Sequence, residues 1–277
     1  MIYAKKLINA NEVYEKGITG KGVVTAILDS GIAYHKELES RIAGFYDFIS
    51  HRSDCYDDNG HGTHVAGIIA GKKIGIAPDS KVIAFKVLDK NGNGDAFDSI
   101  AALDFIYHNA EKMNIRIVNI SFGFLPGTDI IDQGRILEYM ELLWKKGVVI
   151  VVAAGNKGPD KHTITVPGVH PLVITVGTKD SFSGIGPTGD CIVKPEVIAP
   201  GRHILSLCNE DNRYVYKSGT SMSTPIVSGA VALALEKKPQ LSPKAVKVAL
   251  YRSCTPLRQE NNKSWGMINV DKFIKMV

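Results

Sequence analysis

The chain has 277 residues, 44% of them hydrophobic, with 33 basic against 28 acidic side chains and a formal charge of +5. This is enough apolar chain to bury one sizeable core, and no polar or low-complexity linker divides it, so one domain over residues 1–277 is expected, with 1–16 as an N-terminal extension. The charges are scattered rather than gathered into a basic run with interleaved aromatics, which argues against nucleic-acid binding, and no window reaches the ~20 apolar residues that a membrane span needs. Cys55, Cys191, Cys208 and Cys254 are widely spaced, with no CxxC pair and no metal-ligand rhythm, and are expected to be free buried thiols. The first residues lack an apolar signal-peptide core, so a cytoplasmic location is expected, with a secreted mature form as the alternative if a signal and prodomain preceded Met1. Nothing in the chain speaks to oligomeric state.

In chain order, the first apolar run covers 23–28 and reads as a buried strand ending at Asp29-Ser30-Gly31. A carboxylate at that end is costly unless paired, and the bland alternative is a turn aspartate bonded to its own backbone. Next comes Asn59-Gly60-His61-Gly62-Thr63-His64-Val65-Ala66-Gly67. An imidazole here can take and return a proton near working pH, and His61 and His64 are rivals for that role. As a metal pair they lack an HExxH pattern and an evident third ligand. Asp57 and Asp58 stand nearer to His61 in sequence than Asp29 does, but are expected to lie exposed in a loop.

A strand over 81–88 leads to the turn-forming Asn91-Gly92-Asn93-Gly94 and a helix over 96–112. A strand over 117–122 runs into Ser121-Phe122-Gly123, and a helix over 135–146 stops at Gly147. A strand over 148–153 delivers Ala153-Ala154-Gly155-Asn156, and another covers 172–176. Last comes Ser218-Gly219-Thr220-Ser221-Met222-Ser223-Thr224-Pro225, ahead of a small-residue helix over 226–238 whose first turn accommodates Pro225. Ser221 at that helix mouth is either an N-cap or a nucleophile. Continuous apolar strands need both faces covered, and the intervening helices supply the cover. The fold class is therefore α/β, a three-layer α/β/α arrangement around a doubly wound, mainly parallel central sheet. Ligands of such sheets bind beyond the carboxyl ends of the strands, where Asp29, Ser121–Gly123 and Asn156 fall.

Aspartate, histidine and serine in that chain order, each flanked by glycines, point to a serine hydrolase. The segments Asp-Ser-Gly, NGHGTHVAG, AAGN and SGTSMSTP resemble those of the subtilisin-like serine proteases in order and separation, from about Gly17 to the C-terminus. The resemblance implies Asp29, His61 and Ser221 as orienting acid, base and nucleophile, with a structural role for His64. It also implies Asn156 as an oxyanion donor beside the Ser221 N–H. Substrate peptide would lie between Ser121-Phe122-Gly123 and Gly92-Asn93-Gly94, with a specificity pocket among Ser121–Gly123, Ala153, Ala154, Gly155 and Thr165.

Two departures stand out against that family pattern. The chain between Gly67 and Gly75 is shorter than in familiar secreted members, whose extra loop wraps a tight calcium ion, so that site is expected to be missing. Thr165 falls where glycine is frequent and Lys157 follows Asn156, implying a narrower pocket with a positive rim, tolerant of acidic or small residues before the cleaved bond. The chemistry requires no cofactor, and a weak structural calcium site is not indicated. If Met1 is natural, the resemblance is to the intracellular or prodomain-less branch.

The expected partner is a peptide or protein substrate, with no nucleic acid and no membrane. An α/β-hydrolase esterase is disfavoured, because Gly219-Thr220-Ser221-Met222-Ser223 breaks the G-x-S-x-G elbow and the triad order is reversed. A dedicated leader- or propeptide-processing peptidase stays open beside a broad endopeptidase, as does a catalytically silent or partner-gated peptide-binding protein.

Overall fold

The computed structural model describes residues 1–127, 130–189, 192–257 and 264–277; Cys191 lies outside them. Helices α1 (Ile2–Leu7) and α2 (Asn11–Tyr14) open the chain. They are docked on the body: Ile8, Ala10 and Val13 are buried, and the Val270 N–H donates to the Ile8 carbonyl at 2.7 Å. There follow β1 (Val24–Asp29), β2 (Ile42–Asp47), α3 (His61–Ala70), β3 (Lys81–Lys86), α4 (Ala96–Asn109), β4 (Ile115–Ile120), α5 (Ile130–Lys145) and β5 (Val149–Ala153). The second half holds β6 (Ile174–Gly177), β7 (Val197–Ile198), β8 (Ile204–Leu207), β9 (Tyr214–Lys217), α6 (Thr220–Lys237), α7 (Pro243–Ser253), β10 (Gly266–Met267) and α8 (Val270–Met276).

Eight strands form one sheet in the order β10-β7-β6-β5-β4-β1-β3-β2, every described pairing parallel, while β8 and β9 make a separate antiparallel hairpin. The α/β class with a parallel sheet between helical layers is therefore observed. From β1 the chain goes to β2 at the sheet edge, returns to β3 beside β1, and then crosses to β4 on the other side, which makes the end of β1 the switch point where such folds place their ligands.

The period-two alternation of a strand sorts the core into two halves. Val24, Ala26 and Leu28 of β1 join Ile150 and Val152 of β5 in the cluster under α4 and α5. Ile27, Val149 and Val151 belong to the other cluster, with α3, α6, α7 and α8. By the same parity Asp29 falls on the face covered by α3 and α6, the two helices that carry His61 and Ser221.

Several boundaries differ from expectation. Helix α4 stops at Asn109 rather than 112, and α5 begins at Ile130 rather than 135. Helix α6 starts at Thr220 rather than 226, so Pro225 is interior to it rather than in a first turn. A proline there deprives the Ser221 carbonyl of its helical donor. The Thr224 hydroxyl holds the turn before it, donating to the Thr220 carbonyl at 2.8 Å. The cysteines are not uniformly buried: Cys55 is a free thiol in an exposed loop, Cys208 is free and half-buried, and Cys254 is free and buried, with its pKa pushed up to about 12 by burial.

Candidate active site

Strand β1 carries Asp29 into the interior, where it is 1% exposed. His61, the first residue of α3, donates from Nδ1 to Asp29 Oδ1 at 2.7 Å, and the Ser30 N–H donates to the same oxygen at 2.8 Å. The His61 side chain keeps 23% of its surface exposed, so one ring edge is fixed inside while the other can be reached. Burial would lower the His61 pKa, but the charge and hydrogen bond of Asp29 outweigh it and leave it above the ordinary imidazole value.

The start of α3 is held by Asp57, which is buried rather than exposed as expected. Its carboxylate accepts from the Gly60 N–H at 2.8 Å, the Thr63 N–H at 2.8 Å, the Thr63 hydroxyl at 2.6 Å and the Ser30 hydroxyl at 2.9 Å. Burial alone would raise the pKa of Asp57, yet these donors keep it below the usual carboxylate value. A fixed negative charge on the first N–H groups of a helix also suits the helix dipole. Ser30 closes the circuit by accepting from the Gly62 N–H at 2.9 Å. Helix and strand end touch so closely that a Cβ on Gly62 would sit 2.1 Å from the Gly31 carbonyl oxygen, so only glycine fits. Asp58, by contrast, is partly exposed and pairs with the buried Lys86 ammonium at 2.7 Å.

Ser221 is the second residue of α6 and only partly buried. Its hydroxyl donates to the Ser121 carbonyl at 2.7 Å, its partner among the described residues. The helix is tied to the sheet two turns further on, where the Ser228 hydroxyl donates to Asn119 Oδ1 at 2.8 Å and Asn119 Nδ2 donates to the Ser121 hydroxyl at 2.9 Å. Asn156, just past β5, accepts at Oδ1 from the Thr220 N–H at 2.9 Å. That contact turns its Nδ2 toward Gly219, where an added Cβ would lie 3.4 Å from Asn156 Nδ2 and 3.8 Å from the Ser221 nitrogen. The Asn156 amide and the Ser221 N–H thus both lie beside Gly219.

Among the rim residues, Ser121-Phe122-Gly123 leaves β4 as extended chain, and Phe124 then pairs with Val166. Thr165 is buried between the two walls: a Cβ on Gly123 would meet Thr165 Oγ1 at 2.2 Å, and one on Gly155 would meet Thr165 Cγ2 at 2.8 Å. Ala153 ends β5, and the Ala154 carbonyl accepts from the Thr165 N–H at 3.2 Å. Gly92, Asn93 and Gly94 are exposed, but the turn is closed on Asp89, whose backbone and side-chain oxygens take the N–H groups of Asn91, Gly92 and Asn93. Those amides are therefore already used, although the turn touches the His61 loop through Asn59 Nδ2 on the Lys90 carbonyl at 3.0 Å.

His64 is fully buried, its Nε2 facing the carbonyls of Ile204 and Val215 at 3.1 Å each. Burial and the nearby Lys217 push its pKa down to about 3, so it is neutral and locked to the β8–β9 hairpin. Sequence reasoning missed Asp57, Ser30 and Asn119 as supports. The legible signal for Asp57 was its place before Asn59-Gly60, a pattern in which an aspartate side chain turns back onto following backbone N–H groups.

Over residues 20–267 the chain matches the subtilase family of S8 peptidases. It is 38% identical over 303 residues to the serine protease AprX of Bacillus subtilis (strain 168), covering 95% of this chain and 68% of that protein. To subtilisin DY of Bacillus licheniformis it is 34% identical over 283 residues, covering 97% of each. Its fold matches the crystal structure of a cold-adapted subtilisin-like serine proteinase with a TM-score of 0.78 at 28% identity, over 91% of this chain and 90% of that one. A family match across most of the chain, with protease relatives that cover it nearly end to end, makes this protein a member of the subtilase family and a serine endopeptidase.

Proposed function

We propose that this endopeptidase, as one domain, cleaves peptide bonds through Asp29, His61 and Ser221 by way of an acyl-enzyme. The observation that carries the reading is the 2.7 Å contact between His61 Nδ1 and Asp29 Oδ1 on the face shared by α3 and α6. Asp29 fixes the tautomer that leaves Nε2 free as base and stabilises the imidazolium once formed. Ser221 turns its hydroxyl from the Ser121 carbonyl to His61 when substrate binds and attacks the peptide carbonyl as the proton moves to Nε2. Asn156 Nδ2 and the Ser221 N–H receive the oxyanion, His61 passes its proton to the leaving amine, and water then hydrolyses the acyl-enzyme.

Substrate lies as an added strand along Ser121-Phe122-Gly123, with the exposed turn Gly92-Asn93-Gly94 facing it as a rim. Ala153, Ala154 and Gly155 form the floor of the pocket for the residue before the cleaved bond. Thr165, wedged between Gly123 and Gly155, leaves room for small side chains, and the exposed Lys157 favours acidic ones. Such a narrow pocket would favour a dedicated processing peptidase over a broad degrader.

A tight calcium site does not fit the turn after α3. Glu37, the carboxylate available there, already accepts from the Lys73 N–H at 2.6 Å and the Tyr214 hydroxyl at 2.9 Å, while Lys5 donates to the Lys73 carbonyl at 3.2 Å. A cytoplasmic setting suits the free thiols of Cys55, Cys208 and Cys254.

The decisive experiment is turnover of a mixed fluorogenic peptide library by wild type and S221A, with a serine-directed covalent inhibitor alongside. Activity abolished by both is the expected result. A silent wild type whose Ser221 takes no covalent label would replace the protease mechanism with peptide binding.

A further inference from the structure

Because β1, β2, β3 and β4 are parallel, they all begin at one end of the sheet, opposite the end where Asp29 and Ser121 emerge. A cavity of about 540 Å³ opens at that beginning end. Its walls are Lys21 and Gly22 ahead of β1, Arg41 ahead of β2, Asp79 and Lys81 at the start of β3, and Asn114 ahead of β4. Hydrogen bonds hold these walls together: the Lys81 N–H donates to the Val23 carbonyl and the Val82 N–H to the Arg41 carbonyl, both at 2.9 Å. Asn114 Nδ2 donates to the Gly22 carbonyl at 3.1 Å. The charges in the cavity do not balance. Asp79 is its one carboxylate among the described residues, and it is already bound to Arg41 Nη2 at 2.7 Å. Among the described residues Lys21 has neither an ion pair nor a side-chain hydrogen bond. Lys81 gives one of its three donors to the Ser40 carbonyl and has no ion pair, and Arg41 Nε is without a partner.

The backbone adds donors of its own. In Thr19-Gly20-Lys21-Gly22, the N–H groups of Thr19 and Gly20 hold the Glu236 carboxylate at 2.6 and 2.5 Å. The N–H groups of Lys21 and Gly22, next in line, are unpaired among the described residues. A Cβ on Gly22 would meet nothing within 4 Å, so open space reaches the chain at this point. Consecutive free N–H groups in a turn form a concavity suited to an anion. Cations gathered around one hollow repel each other until an anion sits between them. No aromatic ring is among the described wall residues, so a nucleobase would find no stacking surface. We propose that this cavity binds a small multivalent oxyanion of the phosphate class, held by Lys21, Lys81 and the unused donors of Arg41. A multivalent anion is specified because two cations are left over once Asp79 has paired with Arg41. The bound anion ties together the starts of four strands, so its effect is read as stability, and the inference does not depend on the peptidase mechanism.

The test follows thermal unfolding of wild type, K21Q, K81Q and the double variant in inorganic phosphate and in chloride at equal ionic strength. A serine-directed inhibitor is present throughout to prevent self-digestion. Wild type should show a saturable rise of about 5 °C in millimolar phosphate, each single variant a smaller rise, and the double variant none. Phosphate also stabilises proteins by exclusion from their surface, an effect that wild type and variants share and that does not saturate. A rise of equal size in wild type and double variant, or one that grows without saturating, therefore overturns the proposal. If K81Q does not fold, K21Q still decides, because the exposed Lys21 side chain makes no contact that the fold needs. A second readout is the phosphorus NMR line of inorganic phosphate, which wild type should broaden and K21Q should broaden less. Equal broadening by the two proteins sinks the assignment.

Discussion

The two halves of the site are built to different degrees of readiness. On the acid–base side, Asp29, His61, Ser30 and Asp57 form a closed circuit of hydrogen bonds of 2.6–2.9 Å between strand end and helix start. On the side of the proposed nucleophile, Ser221 rests on the Ser121 carbonyl, and the Asn156 amide and Ser221 N–H lie beside Gly219. The difference teaches that here the charge-bearing groups are preorganised by burial, whereas Ser221, the proposed nucleophile, is held only by a backbone carbonyl that it would leave when substrate binds. This is what electrostatics requires, because a buried carboxylate must be satisfied at all times while a hydroxyl can be parked on a backbone acceptor at little cost.

Removing the proposed nucleophile should have the largest effect: S221A is expected to lose about 10⁶ in kcat, the magnitude established for the nucleophile of a subtilisin, with an unchanged melting temperature. Replacing the proposed orienting acid, D29N, should cost about 10⁴ in kcat, the size known for the matching change in one serine protease, by favouring the wrong tautomer. The pH profile gives the sign. His61 must be neutral to act, so wild-type kcat/KM falls as pH drops through a pKa above the ordinary imidazole value, and D29N moves that acid limb to lower pH.

Smaller losses should sharpen the contrast further. N156A should cost roughly 10² to 10³ in kcat with little change in KM, a size borrowed from the corresponding change in a subtilisin. D57N touches no substrate, so it should appear mainly as lost stability of about 1–3 kcal/mol by denaturant titration, with a secondary loss of kcat as the start of α3 loosens. The effect that leaves kcat at neutral pH untouched belongs to His64. Its folded pKa near 3 lies below the unfolded value, so the unfolded chain binds the proton first and stability is lost as pH falls from about 6.5 toward 3. H64Q should flatten that acid decline in a series of melting curves.

Much of this was legible in the chain. Buried parallel strands such as β1 and β5 announce themselves as unbroken apolar runs, and Asp29, His61 and Ser221 sit in glycine-framed segments whose order carries chemistry. Edge elements were not legible: β2 is only half-buried and is broken by Gly44, so it shows no unbroken apolar run, and β7 and β10 have two residues each, too few for any period. The start of α6 was misplaced because Pro225 reads as a helix opening, and nothing local says that Thr224 can support the turn before it. Burial of Asp57 was hidden for a related reason. Its sequence neighbours are loop residues, and beside the local Gly60 N–H its donors come from Ser30 and Thr63, gathered only when strand end and helix start meet.

Helix α6 is buried almost throughout, from Thr220 to Leu235, and is pinned to β4 through Ser228 and Asn119. Ser221, the proposed nucleophile, is in effect the tip of a rod clamped in the core, with no loop in between to absorb slack. A cavity opened well below the cleft would tilt the rod and misaim its tip, so in this enzyme packing errors remote from substrate would register as lost aim before they register as lost fold.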